Sequence, residues 1–166
     1  MPDEETVAGL FELGIAAENA AEEIYRGLEK RFAHHPEVAG FWARYAGEEK
    51  GHARQLQQLR DRATPEQLSA PADPSLIYSL HNLLQPSVTE VLGRIQNLDE
   101  AYELANELEH SEINTVFEFL ITRCSTDEKI QAFLKSLLQD HISRLMFGFP
   151  AQFRSAAKRR EVQALP

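Results

Sequence analysis

The hydrophobic residues of this chain recur every three or four positions along four long segments. These segments are residues 4–32, 36–62, 97–124 and 126–147. That spacing places the apolar side chains on one face of an amphipathic helix. Few β-branched runs occur, and no alternating segment is bounded by the Asn-Gly or Asp-Gly turns that mark hairpins. The pattern therefore predicts an all-α protein with four long helices.

The connections between these helices indicate two helical hairpins joined by one long crossover. Residues 34–36, His-His-Pro, form a short turn, and residues 125–128, Ser-Thr-Asp-Glu, have capping-box spacing at the start of the fourth helix. Residues 63–96 are rich in proline and contain several helix starts, so we expect short extra helices in this crossover. This connectivity is that of a ferritin-like four-helix bundle, with another short helix at the C-terminus.

Length, charge and cysteine content narrow the classes of function. A chain of 166 residues is one domain (1–166), and its single cysteine, Cys124, excludes an internal disulfide and any cysteine-rich metal module. The formal net charge of −9 argues against a nucleic-acid partner. We interpret the basic tail, residues 151–166, as a solvated helix end. An acidic N-terminus and the lack of an apolar run of ~18 residues predict a cytoplasmic protein that does not bind membranes.

Glu49 and His52 form a Glu-x-x-His pair in the predicted second helix. A spacing of three places them on one helix face, about 60° apart. The same face carries apolar residues, namely Phe41, Tyr45, Leu56 and Leu59. A carboxylate and an imidazole in an apolar stripe are costly to desolvate unless they are paired or bind a cation. Taken alone, the pair fits a solvated Glu beside a hydrogen-bonded core His better than a metal site.

An internal repeat favours the metal site instead. Glu18 precedes His52 by 34 residues, and Glu107 precedes His141 by the same 34 residues. Apolar positions correspond at the same offset, as in Leu28 with Phe117, Phe32 with Ile121, Phe41 with Ile130, Tyr45 with Leu134, and Leu56 with Leu145. Two such hairpins related by a pseudo-twofold axis would place five candidate metal ligands around one interior point. These are Glu18, Glu49, His52, Glu107 and His141.

The first half of the chain resembles a known family. Residues 16–25, Ala-Ala-Glu-x-x-Ala-x-x-x-Tyr, followed by Glu48-Glu49-x-x-His52, resemble the diiron domain of the rubrerythrin-like branch of the ferritin superfamily. The resemblance implies that Glu18 is a bridging or terminal carboxylate and that Glu49 and His52 are ligands from the second helix. It further implies that Glu107 is the third-helix carboxylate and His141 the fourth-helix histidine.

The second half departs from this pattern at one position. Leu138 stands to His141 as Glu49 stands to His52, so the second Glu-x-x-His is degenerate. Asp140 lies about 100° around the helix from His141, so it is a reserve ligand for which a surface position is the better interpretation. Three more carboxylates are reserve ligands, although a solvated face suits each of them better. These are Glu22, Glu48 and Glu103.

Two functions are compatible with these residues. The first is an oxidoreductase that binds two iron ions, or manganese or zinc, and acts on peroxide, dioxygen or ferrous iron. Tyr25 or Tyr45 could donate hydrogen bonds near the site, and no catalytic residue separate from the metal ligands is expected. A separate electron donor is expected, since no cysteine module is present to pass electrons. A homodimer is also expected. The second is a non-catalytic helical module with a degenerate or single structural metal site, which Leu138 favours.

Leu138→Glu tests the alignment of the two halves. A carboxylate at this position would complete the second Glu-x-x-His, and without metal it would be buried beside Leu134 and Leu145. The melting temperature should therefore fall in chelator and recover in ferrous or manganous ion, with more metal bound per chain than in the parent. Equal destabilisation in both conditions, with no additional metal, would place residue 138 away from the site.

Overall fold

The computed structural model describes residues 5–153, except for the side chain of Glu112. This part of the chain is an all-α bundle without a β-strand, which confirms the predicted all-α class. Its α-helices are α1 Val7–Arg31, α2 Pro36–Arg62, α3 Pro65–Ser69, α4 Pro74–Leu84, α5 Val88–Gly93, α6 Leu98–Glu109, α7 Glu112–Cys124 and α8 Glu128–Gly148.

α1 and α2 form the first hairpin and pack closely along their length. The Thr6 hydroxyl caps α1 by accepting a hydrogen bond from the Gly9 amide, and Pro36 occupies the first turn of α2, where a missing N–H is tolerated. Buried aromatic rings fill the end of the hairpin nearest the turn. They include Tyr25, Phe41, Trp42 and Tyr45.

The crossover contains three short helices, α3, α4 and α5. Capping boxes open α3 at Thr64 and α5 at Ser87, and the Asp73 carboxylate caps α4. α4 lies against α1 and α7, so the crossover returns across the bundle. Arg31 donates a hydrogen bond of 2.6 Å to the carbonyl of Leu92, which ties the end of α1 to the region of α5.

The third long helix, expected over residues 97–124, is in fact two helices. α6 ends at Glu109 and α7 begins at Glu112, with Ser111 as its cap. The Ser111 hydroxyl accepts from the Ile113 amide and donates to the Leu108 carbonyl over 2.6 Å. The Asn114 amide donates to the Glu109 carbonyl over 2.7 Å. Because these polar side chains satisfy backbone groups at the break, two helix ends replace one continuous helix.

α8 begins later than expected and carries the last residues of the core. Asp127, and not Ser125, caps the helix by accepting hydrogen bonds from the amides of Lys129 and Ile130. Its buried face consists of Leu134, Leu138, His141 and Leu145. After α8, a 3-10 turn covers Ala151–Phe153, and the rest of the basic tail predicted over residues 151–166 lies outside the described residues.

Two apolar clusters divide the interior of the bundle. One lies towards the start of α1 and includes Leu10, Phe11, Leu120 and Ile121, while the other contains the aromatic rings of the first hairpin and Leu145. A layer of buried glutamates and histidines lies between them. Among the described residues, none of the helices has an apolar stretch sufficient to cross a membrane.

Candidate metal centre

Five ionisable side chains are buried in the layer between the two apolar clusters. They come from α1, α2, α6 and α8, and each is between 1% and 7% exposed. They are Glu18, Glu49, His52, Glu109 and His141. Buried ionisable groups persist only when they are paired, hydrogen-bonded or bound to a cation. The contacts within this group therefore decide what it can do.

The Glu49 carboxylate lies between the two histidines. Its Oε2 is 2.9 Å from His52 Nδ1, and its Oε1 is 2.9 Å from His141 Nε2. The two imidazole rings are 5.0 Å apart, and one donor atom from each of these three residues lies within 4.8 Å of the others. This is the spacing at which nitrogen and oxygen donors can hold a metal ion together.

Each histidine also meets a second carboxylate from its own half of the bundle. Glu18 Oε2 is 3.7 Å from His52 Nδ1, and Glu109 Oε2 is 3.0 Å from His141 Nε2. The arrangement has an approximate twofold character, with one Glu–His pair on each side of Glu49. Leu138 replaces the carboxylate that would complete this symmetry, and it is packed into the first apolar cluster at 3% exposure.

The structure brings together four of the five residues in the predicted ligand set, but not Glu107. Glu107 is exposed and, with Glu103, lines a different groove of about 460 Å³ that α4, α5 and α6 border. Glu109 lies at the site in its place. Two residues correspond to about 200° around a helix, so these two glutamates point in opposite directions. A spacing of four from Ala101 through Ala105 to Glu109 marks the buried stripe of α6 and could have identified Glu109 from the sequence.

The reserve carboxylates lie in different environments. Glu22 is partly exposed and pairs with Arg26 over 3.9 Å, while Asp140 is exposed on α8. Glu48 alone among the reserves contacts the site, since its Oε2 lies 2.5 Å from His141 Nδ1. Its Oε1 accepts a hydrogen bond of 2.7 Å from Arg144 Nη1. Glu48 therefore holds the back of the His141 ring, so that Nε2 faces Glu49 and Glu109.

Two buried tyrosines fix the groups around His141. Tyr25 donates a hydrogen bond of 2.6 Å to Glu109 Oε1, and Tyr45 donates one of 2.7 Å to the carbonyl of His141. Burial raises the pKa of both tyrosines, with the Glu109 charge acting in the same direction, so both hydroxyls keep their protons. They act as hydrogen-bond donors that orient α6 and α8 at the site.

Burial and mutual contact change the pKa values of the cluster. Burial and the neighbouring Glu49 charge raise the pKa of Glu18 to about 8, and burial also raises that of Glu109. Burial would lower the pKa of each histidine, but hydrogen bonds to carboxylates outweigh it and raise His52 to about 10 and His141 to about 12. Burial would raise the pKa of Glu49, yet its hydrogen bonds to His141 and His52 lower it.

The donor set fits a metal ion. Glu18 Oε1 is fully buried and has no hydrogen-bond partner. A buried oxygen without a partner is energetically costly, and a bound metal ion would remove that cost. A cavity of about 10 Å³ is lined by Glu18, Glu49 and Glu109 together with Asn114 and apolar side chains. That volume holds one water-sized particle. Mixed carboxylate and imidazole donors suit iron, manganese and zinc alike.

Comparison with known proteins agrees with this arrangement. The family model described as Rubrerythrin matches residues 10–141, from the first turns of α1 to the buried histidine of α8. The chain belongs to the rubrerythrin family. Searches of curated proteins and of solved structures found no match. As a member of the rubrerythrin family with a buried Glu/His cluster, the protein has the predicted ferritin-like fold and a candidate metal site.

Glu109→Gln and Glu107→Gln distinguish the observed site from the one expected from sequence. Replacing Glu109 removes a carboxylate 3.0 Å from His141 Nε2, so metal affinity should fall roughly 10–100-fold. Replacing the exposed Glu107 should leave affinity unchanged. Metal titration of both variants by calorimetry measures the difference, and equal losses would contradict the placement of Glu109 at the centre.

Metal binding should release protons near neutral pH. At pH ~7 the pKa values of about 8, 10 and 12 leave Glu18, His52 and His141 protonated, whereas a metal ligand must present a free electron pair. Affinity should therefore rise as the pH is raised from about 6 to about 8. Calorimetry in buffers with different heats of ionisation counts the protons, and pH-independent binding without proton release would contradict the assigned protonation.

Proposed function

We propose that this protein is an oxidoreductase that binds two iron ions in the buried centre and acts on peroxide, dioxygen or ferrous iron. The observation that carries the proposal is the position of Glu49, whose two oxygens each face a different histidine at 2.9 Å. A single carboxylate between two imidazoles is suited to bridging two cations. Membership of the rubrerythrin family supports the same assignment.

The residues divide into two half-sites around Glu49. Glu18 and His52 would hold one ion, and Glu109 and His141 would hold the other. Glu48, held by Arg144, keeps the His141 ring turned towards its half-site. A bound iron pair would supply the reversible electron transfer that amino-acid side chains lack.

The surroundings of the centre favour controlled redox chemistry. The apolar clusters on both sides limit access of bulk water, which strengthens electrostatic interactions within the site. Tyr25 holds a proton 2.6 Å from Glu109 and would stabilise negative charge on that carboxylate. The lone Cys124 offers no electron-transfer module, so the proposal includes a separate reductant. The homodimer and the cytoplasmic location stay predictions.

One feature favours the alternative of a non-catalytic module with a single structural ion. Leu138 occupies the position in α8 that corresponds to Glu49 in α2. The site therefore has one Glu-x-x-His carboxylate where two are expected, and the second of these positions is apolar. A site with fewer carboxylates binds a second cation less tightly. The number of ions bound per chain therefore separates the two functions.

Anaerobic titration of the metal-free protein with ferrous ion, followed by hydrogen peroxide, tests the proposal. We expect about two iron ions per chain and rapid oxidation with the near-ultraviolet absorbance of a bridged ferric pair. His52→Ala should abolish both, because it removes the nitrogen donor of one half-site, while the exposed Asp140→Ala should change neither. One tightly bound ion without accelerated oxidation would favour the structural alternative.

A further inference from the structure

An opening in the protein surface between α2 and α8 reaches His52, one of the buried residues of the centre. It has a volume of about 210 Å³, and one of its walls is His52, which is otherwise buried. The rest of its lining comes from Glu48, Gly51, Gln55, Leu137 and Arg144. Because Glu48 and His52 both contact members of the cluster, the opening borders the centre on its His52 side.

Gly51 occupies the α2 wall of this opening. A Cβ atom added at Gly51 would meet no atom within 4 Å outside its own helix, so packing among the described residues does not require glycine there. Glycine in the interior of a helix is less stable than alanine. What a side chain at position 51 would change is the width of the opening.

We propose that this opening is the entrance through which a small neutral hydroperoxide reaches the His52 side of the centre, and that Gly51 keeps it open. This inference rests on the proposed function and extends it by naming the route and the residue that keeps it open. The charges and polar groups of the wall suit a small neutral ligand.

The charges of the wall are paired with each other. Arg144 and Glu48 form an ion pair of 2.7 Å, and their side chains are 46% and 20% exposed. A paired wall gives little net attraction for a strongly charged ligand. Arg144 donates from Nε to the Asp140 carbonyl and from Nη1 to Glu48. Its remaining N–H groups and the Gln55 amide can donate hydrogen bonds to an O–O–H group, while Leu137 provides an apolar surface for a short carbon chain. The volume admits a small molecule and excludes a macromolecule.

Gly51→Leu and Gly47→Leu form a matched pair for testing the entrance. Both glycines lie in α2 with open space around a new Cβ, but Gly47 does not line the opening. Both variants should fold, melt at or above the temperature of the parent and bind the same amount of metal. Gly51→Leu should lower the second-order rate constant for oxidation of the ferrous protein by hydrogen peroxide roughly tenfold or more. Gly47→Leu should stay within about twofold of the parent.

Two further measurements sharpen the test. With tert-butyl hydroperoxide, even Gly51→Ala should slow the reaction, because a bulkier substrate is more sensitive to the width of the entrance. Binding of imidazole to the cobalt-loaded protein at pH ~8, where this probe is neutral, is followed by visible absorbance and reports access without any oxidation. Gly51→Leu should slow imidazole binding by a similar factor.

The outcomes separate this inference from the proposed function. A protein that binds cobalt but does not react with peroxide counts against the oxidoreductase, while slower imidazole binding in Gly51→Leu still supports the entrance. Equal rates for Gly51→Leu and Gly47→Leu with peroxide and imidazole overturn the entrance and leave the oxidoreductase standing. Absence of metal binding in the parent overturns both.

Discussion

The structure depends on the sharing of one buried carboxylate, Glu49, by two histidines from different helices. Each contact is 2.9 Å long, and together they join α2 to α8 across the interior. A buried charge of this kind is stable only while its partners stay in place, and loss of one partner costs about 3–5 kcal/mol. The rest of the bundle holds these partners in place. α1 contributes Glu18, α6 contributes Glu109, and an apolar cluster packs against the site on either side.

The outer contacts of His141 extend this arrangement to the surface. Arg144 binds Glu48, Glu48 binds Nδ1 of His141, and Nε2 of the same ring meets Glu49 and Glu109. The ring is therefore held from both sides, which fixes its orientation before any ligand arrives. The opening that leads to His52 passes beside the same ion pair, so one pair of surface residues serves both orientation and access.

Helical spacing was sufficient to predict most of the fold and four of the five buried residues of the candidate metal site. Glu49 and His52 lie on an apolar stripe, and Glu18 and His141 occupy corresponding positions on their own stripes, so periodicity placed all four in the interior. The prediction of Glu107 as a ligand was wrong. The alignment of the two halves of the chain assumed an unbroken third helix and turns of equal length in the two hairpins. The chain instead breaks at Ser111, and the second hairpin has a turn of three residues, 125–127, against four, 32–35, in the first. Glu109 thus precedes His141 by 32 residues. The role of Glu48 depends on a contact with another helix, which single-helix periodicity does not contain.

The raised pKa values of the histidines have a consequence for the metal-free protein. The protons on His52 and His141 carry positive charge to the places where cations would sit, and the carboxylates are neutralised by them. With no metal ion bound, these protons balance the charge of the buried carboxylates. The interior of the metal-free protein is then paired without a cation, so folding of the chain would not require a metal to be present.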